Sequence, residues 1–462
     1  MTASEPVPET AAIYGVERGW GAPVAWSAMS TGPVRIGLLG CGNVGAAFVS
    51  LVRERAAVIE SRYGIDLQIT RVAVHNLSRE RPVEFDDGVL THDASDVVND
   101  PNIDVVVETI GGIEPARGLI LDAIAGGKPV VTANKELLAN LGSELYSAAD
   151  DKGVDLLFEA AVAGGIPFMR PLRESLAGED IARVMGIVNG TTNYVLCRMA
   201  EEHISFGEAL AEAQELGYAE RDPTADIEGF DAGAKAAIIA SVAFGVDVVA
   251  GDVYREGISD ITPADLAFAE RLGYVVKLLA IIERFRELDG PEIAVRVHPA
   301  MVPAGHPLAA VRDSFNAIFV EGEAVGDLMF YGRGAGGDPT ASAVLGDVID
   351  AALNTGQGRG ATMGKREVAT LRPIDALQSE YYINLEVADR AGALARVAGV
   401  FGDHGVSIRS MEQEGLGEEA RLVFITHEAV ERDVQATLQT LRDLEVVDRV
   451  RSVLRVVASA DG

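Results

Sequence analysis

Between residues 34 and 165 short apolar runs alternate with longer amphipathic stretches. VRIGLLG, beginning at Val34, is unbroken by charge after Arg35 and predicts a buried strand, and a helical pattern follows it to about Arg62. DLQITRVAVHN, DVVVETIGG, KPVVTANK and DLLFEAAVAG continue the series. Strands separated by roughly ten to fifteen helical residues predict βαβ units and a parallel sheet covered on both faces. From Ile166 to Gly337 the pattern turns mixed. Helices are expected over about 192–217, 230–245 and 263–275, and strands over 182–188, 276–286, 291–299 and 314–323. A helix over about 340–354 is placed to return to the first unit, completing it over about 338–370.

GQGRGATMGKREVATLRP (356–373) has the glycine content and closing proline of a linker. Beyond it the strand–helix–strand–strand–helix–strand order of residues 380–457 predicts a small independent ferredoxin-like module, bounded at about 379–458. Residues 1–33 are rich in Pro, Gly and small side chains and predict a flexible arm, clamped by the indoles of Trp20 and Trp26. Translation beginning at Met29 is the competing expectation for that segment. The fold class is α/β, with a Rossmann-type domain over 34–165, an α+β domain over 166–337 and the C-terminal module.

The 462 residues suit about three domains. A composition 48% hydrophobic and 24% charged is that of a chain able to bury full cores. The net charge of −31 argues against a nucleic-acid partner, which needs clustered Lys and Arg. Two cysteines, Cys41 and Cys197, imply no disulfide framework and fit a reducing cytoplasm. No apolar run approaches the ~18 residues of a membrane span, and the N-terminus lacks the basic start and apolar stretch of a secretory signal.

Gly40-Cys41-Gly42-Asn43-Val44-Gly45 is a G-x-G-x-x-G between a buried strand and a helix, the context a dinucleotide turn requires. Gly40 makes the turn, Gly42 lets the backbone approach a pyrophosphate, Gly45 permits close helix–strand packing, and the helix N-terminus offers donors to the anion. The ribose-binding acid expected at the end of the second strand is missing from VAVHNLSRER, whereas Arg79 and Arg81 lie just beyond. Guanidinium suits a 2′-phosphate, which favours NADP over NAD; the same arginines also suit a solvated loop.

GYAERDPTADIEGFDAGAKAAIIASVAF (217–244) concentrates Glu220, Asp222, Asp226, Glu228 and Asp231 ahead of one lysine, Lys235, in an otherwise apolar helix. Asp231 and Lys235, four apart, share a helix face. Burial lowers an amine's pKa and nearby carboxylates raise it, so the amine can be tuned for proton exchange. A capping aspartate with an ordinary ion pair fits the same spacing, which leaves both readings open. Lys135, just past the strand in KPVVTANK, stands where open α/β sheets bind ligands, or is a surface lysine opening a helix. In GIVNGTTNYVL, Asn189, Gly190 and Thr191 form a strand-to-helix turn whose exposed amides and hydroxyls suit a carboxylate, or a plain turn.

GLLGCGNVG, TANKELLA, VAGGIPFMRPLRESLAG, GIVNGTTNYVL, GYAERDPTADIEGFDAGAKAAI and YGRGAGGDPTASAV together resemble the homoserine dehydrogenase family, in family order from residue 34 to about 355. DRAGALARVAGVFGDHGVSI (389–408) resembles an ACT regulatory domain. The resemblance implies NAD(P)-dependent interconversion of L-homoserine and L-aspartate 4-semialdehyde by the α+β domain, which would serve catalysis and dimerisation. It implies Lys235 and Lys135 as catalytic lysines, and Glu220, Asp231, Asp226, Tyr218 and Thr191 at the substrate. Cofactor contacts would fall on Gly40, Gly42, Asn43, Val44, Gly45, Thr109, Lys135, Gly217, Gly332 and Gly334. A monovalent cation, sodium, would be held at Glu159, Val162, Gly164 and Ile166, with Glu159 as charged ligand and backbone carbonyls as the others. L-threonine would be the effector, at Asp389, Gly392, Ala393 and Leu394, and a homodimer or homotetramer is expected because ACT modules pair. Two readings compete. A 2-hydroxyacid dehydrogenase needs a histidine–acid pair that none of the seven histidines supplies. A non-catalytic amino-acid sensor would retain the fold without the lysines and acids that this chain keeps.

Overall fold

The computed structural model describes residues 32–286, 292–357, 363–415 and 419–457, so Trp20, Trp26 and Met29 lie outside the described residues. Strands β1 (Val34–Leu39), β2 (Leu67–Ala73), β3 (Leu90–Thr91), β4 (Val105–Glu108), β5 (Val130–Thr132) and β6 (Leu156–Leu157) form a parallel sheet in the order β3-β2-β1-β4-β5-β6. Helices α1 (Asn43–Tyr63), α2 (Ser95–Val98), α3 (Ala116–Ala125) and α4 (Lys135–Lys152) connect them. The strand order reverses between β1 and β4, the switch point beyond which such sheets bind ligands.

The second sheet contains β7 (Ile181–Ile187), β8 (Tyr254–Arg255), β9 (Tyr274–Phe285), β10 (Glu292–Pro303), β11 (Phe315–Gly322), β12 (Gly326–Arg333) and β13 (Thr370–Leu371). The C-terminal region adds β14 (Gln378–Ala388), β15 (Ile408–Gly415), β16 (Glu419–Thr426), β17 (Ala429–Val430) and β18 (Val447–Val456). The main path runs β12-β11-β7-β9-β10-β18-β14-β16-β15. The helices are α5 (Gly190–Glu202), α6 (Phe206–Glu215), α7 (Thr224–Ile227), α8 (Phe230–Phe244), α9 (Pro263–Arg271), α10 (Gly337–Gln357), α11 (Ala393–Asp403) and α12 (Glu431–Arg442). Helix α8 buries Ala236, Ala237, Ile238, Ile239 and Ala240 and packs against β9 and β10, as an apolar helix must. Helix α10 does return to the first sheet: Ala341, Val344 and Val348 share a core with Phe48, Val49 and Val52 of α1.

Several expectations are corrected. The helix predicted over 192–217 is two, because His203 takes a left-handed backbone (φ 55°) and Ser205 opens α6 with a capping box to Glu208. The helix predicted over 263–275 stops at Arg271, and β9 begins at Tyr274. Strand β12 was not foreseen; it is the edge strand beside β11. The linker is partly structured: Glu367 bridges Val246, β13 pairs with β10, and the Arg366 guanidinium bonds Asp247 (2.8 Å) and stacks over Tyr146.

The C-terminal module is not independent. Strand β18 pairs in parallel with β10, matching Ala300 to Arg455 and Met301 to Val456, so the two sheets are one. Beside the seam, buried Asp265 accepts hydrogen bonds from Tyr382 Oη (3.2 Å), Asn384 Nδ2 (3.0 Å) and Ser452 Oγ, all from module strands. Buried Arg455 donates to Glu431 on one side and to Glu256, beyond β8, on the other. Separating the module would break the Arg455–Glu256 pair and all three of these bonds to Asp265.

Candidate active site

The glycine turn is built as its spacing requires. Gly40 has φ 94°, and a Cβ there would stand 3.0 Å from the Thr109 backbone; a Cβ on Gly45 would lie 2.5 Å from the Gly40 carbonyl oxygen. At Gly42 a Cβ would meet nothing within 4 Å, which leaves open space in front of the turn. Helix α1 starts at Asn43 with Gly42 as N-cap and no side-chain cap, so its first amides are free for an anion. Val44 is part-buried beside them. Thr109, at the end of β4, donates its hydroxyl to Gly40 O (3.0 Å) and ties the two strand ends together. Arg79 is exposed. Arg81 donates to the carbonyls of Asn76 and Arg79 in its own loop, and its charge reaches Cys41, whose thiol burial pushes up.

The acidic stretch and both lysines converge. Asp231 and Lys235, each 8% exposed, sit on the first turns of α8. Lys235 Nζ donates to Asp231 Oδ2 (2.7 Å) and to the carbonyl of Val188 (2.6 Å). Lys135 Nζ forms an ion pair with the other oxygen, Asp231 Oδ1. One carboxylate therefore joins a lysine from each sheet's side of the cleft. Burial works against the Asp231 anion, but the ammonium groups of Lys235 and Lys135 hold it well below the usual carboxylate range. Partial burial would lower Lys135, and the Asp231 charge, helped by Asp226 and Glu220, outweighs it and raises that lysine. Burial pushes Asp226 up against the hydrogen bond from Asn189 that holds it down. Lys135, Glu220, Asp226 and Asp231 line one open cleft with Asp222, Phe230 and Arg255.

In the turn of Asn189, Gly190 and Thr191, the first and last are buried and Gly190 is part-buried. The turn's side-chain donors are already engaged: the Asn189 amide bonds Asp226 Oδ1 (2.7 Å) and Asp231 Oδ2 (2.9 Å), and the Thr191 hydroxyl bonds Tyr218 O (2.7 Å). Gly217 (φ 76°) turns the chain from α6 into Tyr218, whose ring packs on Tyr194. Sequence reasoning missed two supports. Glu108, fully buried, accepts from Thr132 Oγ1 and from the amides of Ile110 and Gly111, which shapes the loop after Thr109. Asn134 caps α4 through Leu137 N and donates to Gly112 O (2.6 Å), so Lys135 enters from an anchored first turn. The Asn-Lys pair at a strand-to-helix junction was the available signal for that cap.

Residues 167–349 match the homoserine dehydrogenase family, residues 40–159 the homoserine dehydrogenase NAD-binding domain, and residues 381–446 the ACT domain. The homoserine dehydrogenase of Mycobacterium tuberculosis is 48% identical over 432 residues, covering 92% of this chain and 98% of its own. The chain belongs to the homoserine dehydrogenase family. A crystal structure of a homoserine dehydrogenase from Thiobacillus denitrificans superposes with a TM-score of 0.87 at 41% identity, over 92% of this chain and 98% of that one. A hyperthermophilic archaeal homoserine dehydrogenase in complex with NADPH is 28% identical, with a TM-score of 0.60 over 70% of this chain and 98% of its own. The protein is thus an oxidoreductase that interconverts L-homoserine and L-aspartate 4-semialdehyde, with an NAD-binding domain and an ACT domain. No described helix is long and apolar enough to cross a membrane.

The remaining family positions fall into two places. Glu159 is buried with its carboxylate taken up by the backbone amides of Phe168 (2.5 Å), Met169 (2.8 Å) and Arg170 (2.7 Å). Both its oxygens accept from these amides, which holds the chain from Phe168 to Arg170 around the carboxylate. Among the described residues the buried carbonyls of Val162 and Ile166, and that of Gly164, accept no backbone hydrogen bond. Gly164 (φ 47°) abuts Gly334, since a Cβ on Gly164 would lie 2.5 Å from Gly334 O. Gly332 belongs to β12, and Gly337 opens α10 against Asn43 and Ala47, which brings the YGRGAGG segment to the start of α1. In the ACT domain, Gly392 (φ 88°) is the N-cap of α11 without a side-chain cap. Ala393 is buried there, Leu394 part-buried, and Asp389 exposed beside Gly415.

Proposed function

We propose that the enzyme works with NADP in preference to NAD and uses the Asp231-centred pair of lysines for proton transfer. The observation carrying the proton-transfer assignment is that one buried carboxylate, which lines an acidic cleft, binds both Lys135 and Lys235. Bound at the glycine turn, the nicotinamide cofactor supplies or accepts the hydride. Gly42, the free α1 amides, Thr109 and the adjoining Gly332–Gly334 segment fit such a group, and Arg81 near Cys41 favours a 2′-phosphate. NADPH in the archaeal relative agrees with that preference.

Glu220 and Asp226 receive the substrate ammonium, with Tyr218 and Thr191 closing that end of the cleft. Lys235 donates a proton to the aldehyde oxygen in reduction and takes the hydroxyl proton in oxidation. Lys135 stays protonated, because Asp231 raises it, and supplies fixed positive charge beside the reacting oxygen. A monovalent cation, sodium, fits the free carbonyls of Val162, Gly164 and Ile166, and would lend that segment electrostatic support. The uncapped N-terminus of α11 at Gly392 suits the carboxylate of L-threonine as effector, and β15, an edge strand among the described residues, suits pairing of ACT domains in a homodimer or homotetramer.

Reduced-cofactor formation from L-homoserine, measured with NADP and NAD separately and with and without L-threonine, tests these assignments. A higher kcat/KM with NADP and a threonine-dependent fall in rate are expected. Equal use of the two cofactors would overturn the Arg81 argument, and threonine-insensitive turnover would overturn the effector.

A further inference from the structure

Two carboxylates, Asp226 and Asp231, face one another through a single side chain. Asn189 Nδ2 carries two hydrogens and gives one to each: 2.7 Å to Asp226 Oδ1 and 2.9 Å to Asp231 Oδ2. The amide has no choice of orientation. Its oxygen is committed on the other side, accepting from Thr192 N (2.9 Å) and Thr192 Oγ1 (3.1 Å) as the N-cap of α5. The preceding carbonyl, Val188 O, receives Lys235 Nζ at 2.6 Å. Residues 188–189 thus touch the ammonium of Lys235 and both acids at once, and Asn189 is itself buried.

We propose that Asn189 is a positioning residue for the reaction, the clamp that turns Asp231 Oδ2 toward Lys235 and keeps Asp226 ionised next to a second carboxylate. This rests on the reading of Lys235, Asp231 and Asp226 as the substrate and proton-transfer groups. Two anions sharing a buried site oppose each other's ionisation unless donors stand between them. Lys135 and Lys235 pair with Asp231, the Lys235 charge and the Thr191 hydroxyl also hold Asp226 down, and the Asn189 amide bonds both acids. Removing that donor lets burial and the Asp231 charge raise Asp226 further, and it leaves Asp231 Oδ2 held by Lys235 alone. Because Asp226 must lose its proton to hold an ammonium, activity would then fail at a higher pH than in the parent.

Asn189→Asp separates this role from capping. Aspartate caps helices as well as asparagine does, so the bond to Thr192 N survives, but the donor is replaced by a third negative charge. The variant is expected to keep cofactor affinity within about twofold, to raise KM for L-homoserine and lower kcat/KM by at least about tenfold, and to shift the acid limb of kcat/KM upward. Asn189→Ser, which also caps and adds no charge, should show the same upward shift to a smaller extent, and it carries the test if Asn189→Asp does not fold. Acid limbs and KM values superimposable on the parent in the folded variants would overturn the proposal. Lys235→Ala measured alongside tells the cases apart. If it loses turnover while the Asn189 variants behave as parent, only the clamp fails; if it too turns over normally, the reading of the site fails with it.

Discussion

Replacing Lys235 by alanine removes two buried interactions, the bond to Val188 O at 2.6 Å and the ion pair to Asp231 Oδ2 at 2.7 Å. The first leaves a backbone acceptor without its partner, at a cost of about 1–3 kcal/mol. The second costs less than the ~3–5 kcal/mol of a fully broken buried pair, because Asp231 keeps Lys135 and Asn189. The loss of stability is therefore expected to exceed the ~1–3 kcal/mol of the first interaction alone, which lowers Tm. The catalytic loss is larger in consequence: removing a general acid lowers kcat by about 10²–10⁴, or roughly 3–5 kcal/mol in the barrier. Lys235→Arg separates proton transfer from charge. A guanidinium keeps the positive charge beside Asp231 but holds its proton above pH ~12, so kcat should remain at least about a hundredfold below the parent. The assay is initial reduced-cofactor formation from saturating L-homoserine, with cofactor affinity measured separately by fluorescence. Either variant turning over within about threefold of the parent would refute the assigned role, and recovery in Lys235→Arg alone would mean that Lys235 contributes charge only.

Three further outcomes follow from the geometry. Gly42 has an ordinary φ of −84° and empty space ahead of it, whereas a Cβ on Gly45 meets Gly40 O at 2.5 Å. Gly42→Ala should therefore keep the parent Tm while losing cofactor affinity about tenfold, and Gly45→Ala should lose both; equal Tm values for the two variants would contradict this. Burial, aided by the Glu159 charge, pushes the Asp347 carboxyl up to about 7, against about 3.9 in the unfolded chain. Between those values the folded state holds a proton that the unfolded state has released, so Asp347 lowers stability as pH rises from about 4 to about 7. Asp347→Asn should gain Tm relative to the parent across that window, and parallel Tm–pH curves would refute it. Asp265→Ala leaves Tyr382, Asn384 and Ser452 without their buried acceptor. It should lower Tm and loosen the ACT domain first, as read by hydrogen exchange in β14 and β18, and unchanged protection there would show that the seam does not hold the domain.

Much of this protein was decided by local chemistry and is legible along the chain. The glycine spacing at 40–45, the alternation that predicts a parallel sheet and the apolar run of α8 each follow from backbone sterics or from burial of one face. Even the break between α5 and α6 was written locally, since Ser205 stands three residues before Glu208 and satisfies the amides of a new helix start. What the chain could not declare are pairings between distant segments. Spacing alone placed Asp231 near Lys235; only the packing of α4 against α8 brought Lys135 to the same carboxylate, 96 positions away in sequence from Asp231. The amides of Phe168, Met169 and Arg170 that gather around the Glu159 carboxylate are likewise set by the fold and not by spacing. The seam between β10 and β18 is invisible for the same reason: a strand's pattern states which of its faces is buried but not which strand will pair with its edge.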